Sequence, residues 1–303
     1  MRLTVTGATG LIGSALVARL RDEGAELTVL SRDPQRATTE LGVPAARWEP
    51  STEPAPADAL EGRDAVINLA GENVAQRWSE SAKHAIRASR VEGTANLVAG
   101  LHAIEAERRP TVLVSGSASG YYGAHGDEPL DEEAPSGRDF LAGVCVAWEQ
   151  SALAATQLGM RVVLLRTGVV LDAHGGALAK MLPPFRLGVG GPVGGGKQYM
   201  PWIHRDDVAG MISAALSDER WSGPVNATAP EPASNREFSR ALGRVLKRPA
   251  LLPVPALALR ARYGEMAQIV TSGARVLPAR ALMLGYSFKH PHLEEALADT
   301  LAA

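Results

Sequence analysis

Apolar and polar positions in the first half of the chain switch between two periods. Leu3-Thr4-Val5 is a short β-type run that ends in glycines, and Leu11 to Asp22 then carries apolar residues at helical spacing (Leu11, Ala15, Leu16, Leu20). Leu27 to Leu30 and Ala65 to Ala70 are further apolar runs. Trp78 to Glu107 reads as helical with a break near Gly93, Thr111 to Val114 as a strand, Phe140 to Leu158 as a helix and Val162 to Leu165 as a strand. Near-continuous Val/Ile/Leu strands alternating with amphipathic helices predict a parallel sheet covered on both faces. With right-handed crossovers this is an α/β, Rossmann-like doubly wound fold.

After Leu171 the texture changes. Six of the nine residues from Gly188 to Gly196 are glycine, and Pro183, Pro184, Pro192 and Pro201 lie close by. Shorter helices are predicted over Asp207–Leu216, Asn235–Leu246, Ala256–Val270 and Leu293–Leu301, broken up by Pro249, Pro253 and Pro255. Residues 1–171 are expected to form one domain, completed by parts of 199–228. Residues 172–303 are expected to form a smaller, mostly helical lobe covering the open edge of the sheet.

Composition narrows the function. The 303 residues are 46% hydrophobic and 21% charged, with a net charge of -2. That is the profile of a globular chain with a core, and it lacks the basic excess that nucleic acid or an anionic membrane surface calls for. The one cysteine, Cys145, permits no internal disulfide and no Cys-rich zinc site, and no metal is expected. The apolar runs fall short of the roughly 18 residues of a membrane span. MRLTVTGATG is interrupted by glycine too early for a signal peptide, so the cytoplasm is the default location.

Thr6-Gly7-Ala8-Thr9-Gly10-Leu11-Ile12-Gly13 follows the first strand and opens the first helix, the context in which a GxxGxxG run points to a dinucleotide. Gly7 permits the tight turn, Gly10 the approach of a pyrophosphate and Gly13 the packing of helix on strand. The helix N-terminus adds free N–H groups and a positive dipole end. At the end of the second strand Ser31-Arg32-Asp33-Pro34 offers a hydroxyl and a guanidinium where an NAD site has an acidic residue. These suit a 2′-phosphate, so NADP is expected over NAD, with a solvated Arg32 as the plain alternative. Asp33 stands before proline and is read as shaping the turn. Asn68-Leu69-Ala70-Gly71-Glu72-Asn73 ends the fourth strand with small residues that let a cofactor pass at Leu69, Ala70, Gly71 and Glu72.

These residues resemble the extended and atypical short-chain dehydrogenase/reductase superfamily, within it the sugar-epimerase-like "epimerase family protein" group. The matching pieces run along nearly the whole chain: TGATGLIG (6–13), SR (31–32), NLAGEN (68–73), SRVEGT (89–94), SGSASGYYG (115–123), WE (148–149), RTGVVL (166–171), PFRLGVGGPVGGGKQ (184–198), PWIHRDDVAG (201–210) and RVLPARAL (275–282). The resemblance implies an NADP-binding fold with a C-terminal substrate lobe. It places Gly7, Gly10, Leu11 and Ile12 at the pyrophosphate, Ser31 and Arg32 at the 2′-phosphate and Leu69 and Ala70 along the adenosine half, with Thr9 and Gly13 of the same loop also counted as cofactor-binding. It brings Arg90 to the cofactor, unless that arginine lies exposed on its helix, and puts Val169 beside the nicotinamide.

The pattern breaks at the Tyr-x-x-x-Lys pair that such enzymes use for proton transfer. Counting back from Glu149 puts Cys145 at the lysine position and Leu141 at the tyrosine position, and neither can do that chemistry. Ser115, Ser117 and Ser119 follow the fifth strand. Ser117 is the candidate that would polarise a substrate oxygen, and Tyr121, on the same loop as Tyr122, the candidate proton donor. His204 reads as fixing the strand that enters the next helix, with Asp206 or Asp207 as the helix cap. Arg186 and Lys197 flank the glycine-rich stretch as candidates for an anionic substrate group, and that stretch reads as a flap over the cleft. Two functions stay open: an NADP-dependent oxidoreductase acting on a small carbonyl or alcohol compound, nucleotide sugars included, and a non-catalytic NADP(H)-binding sensor or structural protein. A redox-neutral sugar epimerase is the weaker third. A small-molecule substrate is the expected partner, without nucleic acid or membrane, and the oligomeric state is open.

Overall fold

The central strands read as continuous apolar runs because both of their faces are covered. The computed structural model describes residues 1–302. The first half runs β1 (Arg2–Thr6), α1 (Leu11–Asp22), β2 (Glu26–Ser31), α2 (Pro34–Leu41), β3 (Ala45–Arg47), β4 (Ala65–Asn68), α3 (Glu80–His102), β5 (Val112–Ala118), β6 (Pro129–Leu130), α4 (Phe140–Leu153) and β7 (Arg161–Thr167). The second half runs β8 (Val169–Leu171), α5 (Gly176–Arg186), β9 (Tyr199–Met200), β10 (Trp202–His204), α6 (Arg205–Ser217), β11 (Gly223–Ala227), β12 (Ala233–Ser234), α7 (Asn235–Leu246), α8 (Ala256–Tyr263), α9 (Gln268–Thr271), β13 (Arg275–Val276), α10 (Ala279–Met283) and α11 (Leu293–Ala302).

Seven strands form one parallel sheet in the order β11-β7-β5-β4-β1-β2-β3. Alternate residues sort to opposite faces. Leu3, Val5, Ala65, Ile67, Val114, Val163 and Leu165 pack with α1 and α6 on one face. Val66, Leu113, Val162 and Leu164 pack with α3 and the end of α4 on the other. The Rossmann-like α/β reading therefore holds, and the seventh strand, β11, comes from the second half of the chain.

Later segments pair with one another beyond the carboxyl ends of the sheet, and α10 packs beside the edge strand β11. Segments that continue from β5, β7 and β11 pair there as β6 with β13, β8 with β10 and β12 with β9. A third core of Leu178, Leu182, Phe185, Trp202, Phe238 and Leu297 holds α5, α7 and α11 together. The buried Glu132 ties this layer to the sheet. Its carboxylate accepts the Asn226 N–H at 2.9 Å and the Arg280 N–H at 3.1 Å, while Asn226 Nδ2 donates to the Leu277 carbonyl at 2.9 Å.

Three expectations need correction. Gly93 does not break its helix: α3 runs unbroken from Glu80 to His102, and a Cβ at Gly93 would lie 3.2 Å from Pro50 Cβ, so glycine serves packing. The helix predicted over 256–270 is divided into α8, a 3₁₀ turn and α9, with Gly264 at φ 62° as the divider. Neither Asp206 nor Asp207 caps α6. His204 does, its Nδ1 accepting the Asp206 N–H at 3.2 Å, because the Asp207 carboxylate is engaged elsewhere.

Candidate functional site

A cleft of about 340 Å³ opens at the carboxyl ends of β1 to β4. Gly7 to Gly10, Ser31, Arg32 and Leu69 to Glu72 line it, so nine of the residues singled out in the sequence are together: Gly7, Thr9, Gly10, Ser31, Arg32, Leu69, Ala70, Gly71 and Glu72. Its floor is backbone. Gly7 has φ +66°, and a Cβ there would fall 2.5 Å from the Leu69 carbonyl carbon. A Cβ at Gly13 would run into the Gly7 oxygen and Ala8, so α1 can approach the loop only with glycine at that position.

The bareness of the α1 N-terminus is the notable property of this cradle. Its N-cap is Gly10, without a capping side chain, and no acidic residue stands in the first turn. The Leu11 and Ile12 N–H groups have no acceptor among the described residues. Four orphan donors at a helix start need partners from somewhere, and an anion answers both that need and the dipole.

Buried polar groups hold the two loops in register. Thr6 Oγ1 donates to Asn68 Oδ1 at 2.7 Å and accepts the Ala70 N–H at 3.2 Å. Asn68 Nδ2 donates to Thr94 Oγ1 at 2.9 Å, and Trp148 Nε1 donates to the same oxygen at 2.9 Å. The sequence reading missed this chain, although SRVEGT and WE contain its ends. It also missed the far wall, Trp48 to Ser51. The buried Trp48 is held there by donation from its Nε1 to the Glu53 carbonyl at 2.9 Å.

Arg32 stands exposed on the rim, with no side-chain partner among the described residues apart from the cleft it borders. Ser31 Oγ is drawn into the turn, accepting the Asp33 N–H at 3.1 Å, and Asp33 caps α2 by accepting the Arg36 N–H at 3.0 Å. Arg90 does not reach the cleft surface. Its guanidinium carbon lies 3.0 Å from where a Gly71 Cβ would be, its Nη1 donates to the Ile86 carbonyl at 3.1 Å, and it sits over the Trp148 ring at 5.3 Å. Burial lowers its pKa, with Cys145 and Glu72 opposing that shift. Leu11, Ile12 and Gly13, the first turn of α1, follow the lining residues and are not themselves in the lining. Val169 is apart from this cleft, at the start of β8, where its N–H donates to the Pro201 carbonyl at 2.6 Å.

The candidate catalytic residues fall into a second, closed region. Ser117 is 5% exposed, and its hydroxyl donates to Glu149 Oε1 at 2.6 Å. Glu149 accepts both Arg166 Nε and Nη2, at 2.8 and 2.9 Å. Arg166 Nη1 donates to the Tyr122 hydroxyl at 3.1 Å, which donates to Asn226 Oδ1 at 2.7 Å. Burial pushes Tyr122 up to about 12 despite Arg166 beside it. Ser117 thus donates to a carboxylate, and it is not among the residues that line the cleft. Tyr121 is half-buried, with the Arg166 guanidinium stacked 3.5 Å from its ring centre. Gly120 faces Leu141 and Cys145 on α4, at 3.6 and 4.0 Å from a built Cβ. Burial and then Glu149 push the Cys145 thiol up to about 12, so it stays a neutral hydrophobe.

Arg186 and Lys197 are both exposed. Within the glycine-rich stretch between them, Gly191 lies directly against the Leu252 backbone, and Gly194 N–H donates to the Val254 carbonyl at 2.9 Å. The stretch expected to be a flap is therefore laid along residues 252–254.

Known proteins match along the length of this architecture. The pattern of the NAD dependent epimerase/dehydratase family fits residues 3–226, and that of a domain of unknown function, DUF1731, fits residues 254–300. Epimerase family protein SDR39U1 homolog, chloroplastic, of Arabidopsis thaliana is 44% identical over 300 residues, covering 98% of this chain and 86% of that protein. Epimerase family protein SDR39U1 of Homo sapiens is 38% identical over 307 residues, covering all of both. The crystal structure of the human protein (isoform 2) with NADPH has a TM-score of 0.88 at 35% identity, over 100% of this chain and 99% of that one. A nucleoside-diphosphate sugar epimerase from Corynebacterium glutamicum has a TM-score of 0.76 at 35% identity, over 99% of this chain and 58% of that one. Among the described residues no helix is long and apolar enough to cross a membrane. With a matching fold, a glycine cradle and relatives alike from end to end, the chain belongs to the NAD-dependent epimerase/dehydratase family of the short-chain dehydrogenase/reductase superfamily, among the SDR39U1-like epimerase family proteins.

Proposed function

We propose that the cleft binds NADP(H) and that the protein is an oxidoreductase acting on a small carbonyl or alcohol compound, nucleotide sugars included. The uncapped start of α1 carries this reading: its first N–H groups have no acceptor among the described residues, and the glycine loop that leads into them lines the cleft. The Leu11 and Ile12 N–H groups would take the diphosphate, Thr9 and Gly10 would flank it, and Leu69 to Glu72 would border the far half. Arg32 would face the 2′-phosphate: it borders the cleft beside Ser31, and its planar fork matches phosphate oxygens. The NADPH named for the human relative's structure supports the same choice.

Bound NADPH supplies hydride. The protein then has to position the substrate and donate or accept a proton. Tyr121 is the group assigned to that proton: its phenol stands on the loop after β5, held by the Arg166 guanidinium stacked on its ring. Ser117 enters only through Glu149 and Arg166. Leu141 and Cys145 support a second reading, a protein that binds NADP(H) without turnover. Titrating the protein with NADPH and with NADH, followed by energy transfer from tryptophan, tests the first step. Saturation by NADPH at concentrations at least tenfold lower than NADH is expected, and no saturation by either rejects the assignment. A screen of carbonyl compounds and nucleotide sugars with bound NADPH, read at the nicotinamide absorbance, then separates catalyst from binder.

A further inference from the structure

Chemistry that the cleft leaves unused gathers where β10 meets α6. His204 is buried, its side chain 5% exposed, and its Nδ1 takes the Asp206 N–H, which leaves Nε2 3.3 Å from Asp299 Oδ2. His290 precedes α11 and is placed by Asp207, whose buried carboxylate accepts the Lys289 N–H at 2.7 Å and the His290 N–H at 3.0 Å. The two imidazoles end 3.8 Å apart, tilted by 38°. His290 is 9% exposed, and its Nε2 is buried without a partner. The facing acceptors, Asp299 Oδ2 at 3.8 Å and Asp206 Oδ2 at 4.0 Å, are beyond hydrogen-bond reach. Asp206 is itself paired with Lys289 Nζ at 2.5 Å.

A buried nitrogen with nothing to bond forfeits its interaction with water and calls for an explanation. Here it points toward a carboxylate that a second buried histidine also faces, and one ligand atom from each of the three residues lies within 4.8 Å of the others. We propose that His204, His290 and Asp299 form a binding site for a divalent transition-metal ion of the zinc class, which fastens α11 to the β10–α6 junction. Two imidazoles and a carboxylate are a donor set that zinc accepts, and the single cysteine is no obstacle to it. Asp299 is half exposed, its side chain at 51%, so an ion has an entry path and solvent can supply a fourth ligand. A metal on His204 Nε2 requires the ring proton on Nδ1, at the expense of the 3.2 Å bond from the Asp206 N–H. One weak capping bond lowers affinity by roughly tenfold, well within the range that metal coordination overcomes.

The test is calorimetric titration of the metal-stripped, full-length protein with Zn²⁺, alongside the visible spectrum with Co²⁺. One equivalent should bind with micromolar or tighter affinity, the cobalt form should show the intense bands of low coordination, and the melting temperature should rise with Zn²⁺. His290→Gln and Asp299→Asn should each weaken binding at least tenfold. Asp299→Asn lies at the surface, and a melt in chelator establishes that it folds. His292→Gln, at an exposed histidine paired with Glu231, should bind as the parent does. No saturable heat with Zn²⁺, or unchanged affinity in both His290→Gln and Asp299→Asn, overturns the proposal and leaves a stacked histidine pair beside Asp299.

Discussion

The cleft at the ends of β1 and β4 and the polar knot at the ends of β5 and β7 use opposite building materials. In the cleft, side chains are missing where backbone must be approached, and N–H groups at the start of α1 lack partners. In the knot, Ser117, Glu149, Arg166, Tyr122 and Asn226 bind one another in an unbroken series. Donors without partners leave room for a ligand, whereas saturated donors hold a fold together. The difference explains why glycines mark the first region, whereas Ser117, expected at a substrate, is bonded to Glu149 in the second.

Substitutions can break or sharpen this contrast. The largest effect should come from Arg166→Met, which strands the Glu149 carboxylate in a buried site: a loss of about 3–5 kcal/mol in denaturant unfolding, and unchanged stability would show the knot to be dispensable. Gly7→Ala should remove about 2 kcal/mol and weaken NADPH at least tenfold, since its Cβ meets the Leu69 carbonyl carbon at 2.5 Å in a left-handed turn. Normal NADPH binding by the Gly7→Ala variant would contradict a floor made of backbone. Ser117→Ala should lower stability by about 1–2 kcal/mol while NADPH affinity stays put; an affinity loss without a stability loss would move Ser117 back to the ligand side. Arg32→Ala should weaken NADPH by about tenfold and leave NADH untouched, with stability unaltered, and equal losses for both would remove the phosphate from the rim.

A pH series gives the smallest signal. Tyr122 is raised from an ordinary value of 10.0 to about 12 by burial, so the folded state keeps that proton longer than the unfolded one. Its stabilising contribution is complete below pH 10 and fades as pH rises toward 12. Tyr122→Phe should flatten the stability decline in that window, and an identical slope would detach the phenol from it.

Local signals carried most of the architecture. α1 and α7 begin and end where periodicity places them, α7 with Ser234 as its cap, because an amphipathic stripe is written in adjacent residues. The glycine cradle was readable for the same reason. What escaped depends on distant partners. Gly93 needs Pro50 beside it before it counts as packing rather than as a break. β11 reads as a weak GPVNA run until it lies parallel to β7. Trp48 forms a wall only once β3 closes the sheet edge. Ser117 meets Glu149 across 32 residues, a pairing no spacing rule reveals.

Glu132 has a consequence for how the chain can be divided. Two separate family patterns cover it, ending at residue 226 and beginning at residue 254, which invites treating the later part as a detachable module. Yet one carboxylate grips the last strand of the sheet at Asn226 and the start of α10 at Arg280. A version truncated before residue 254 would take the Arg280 N–H from that carboxylate and uncover it, and the damage would surface at the β11 margin, inside the part that was kept. The two halves are best exchanged between relatives as a single inheritance.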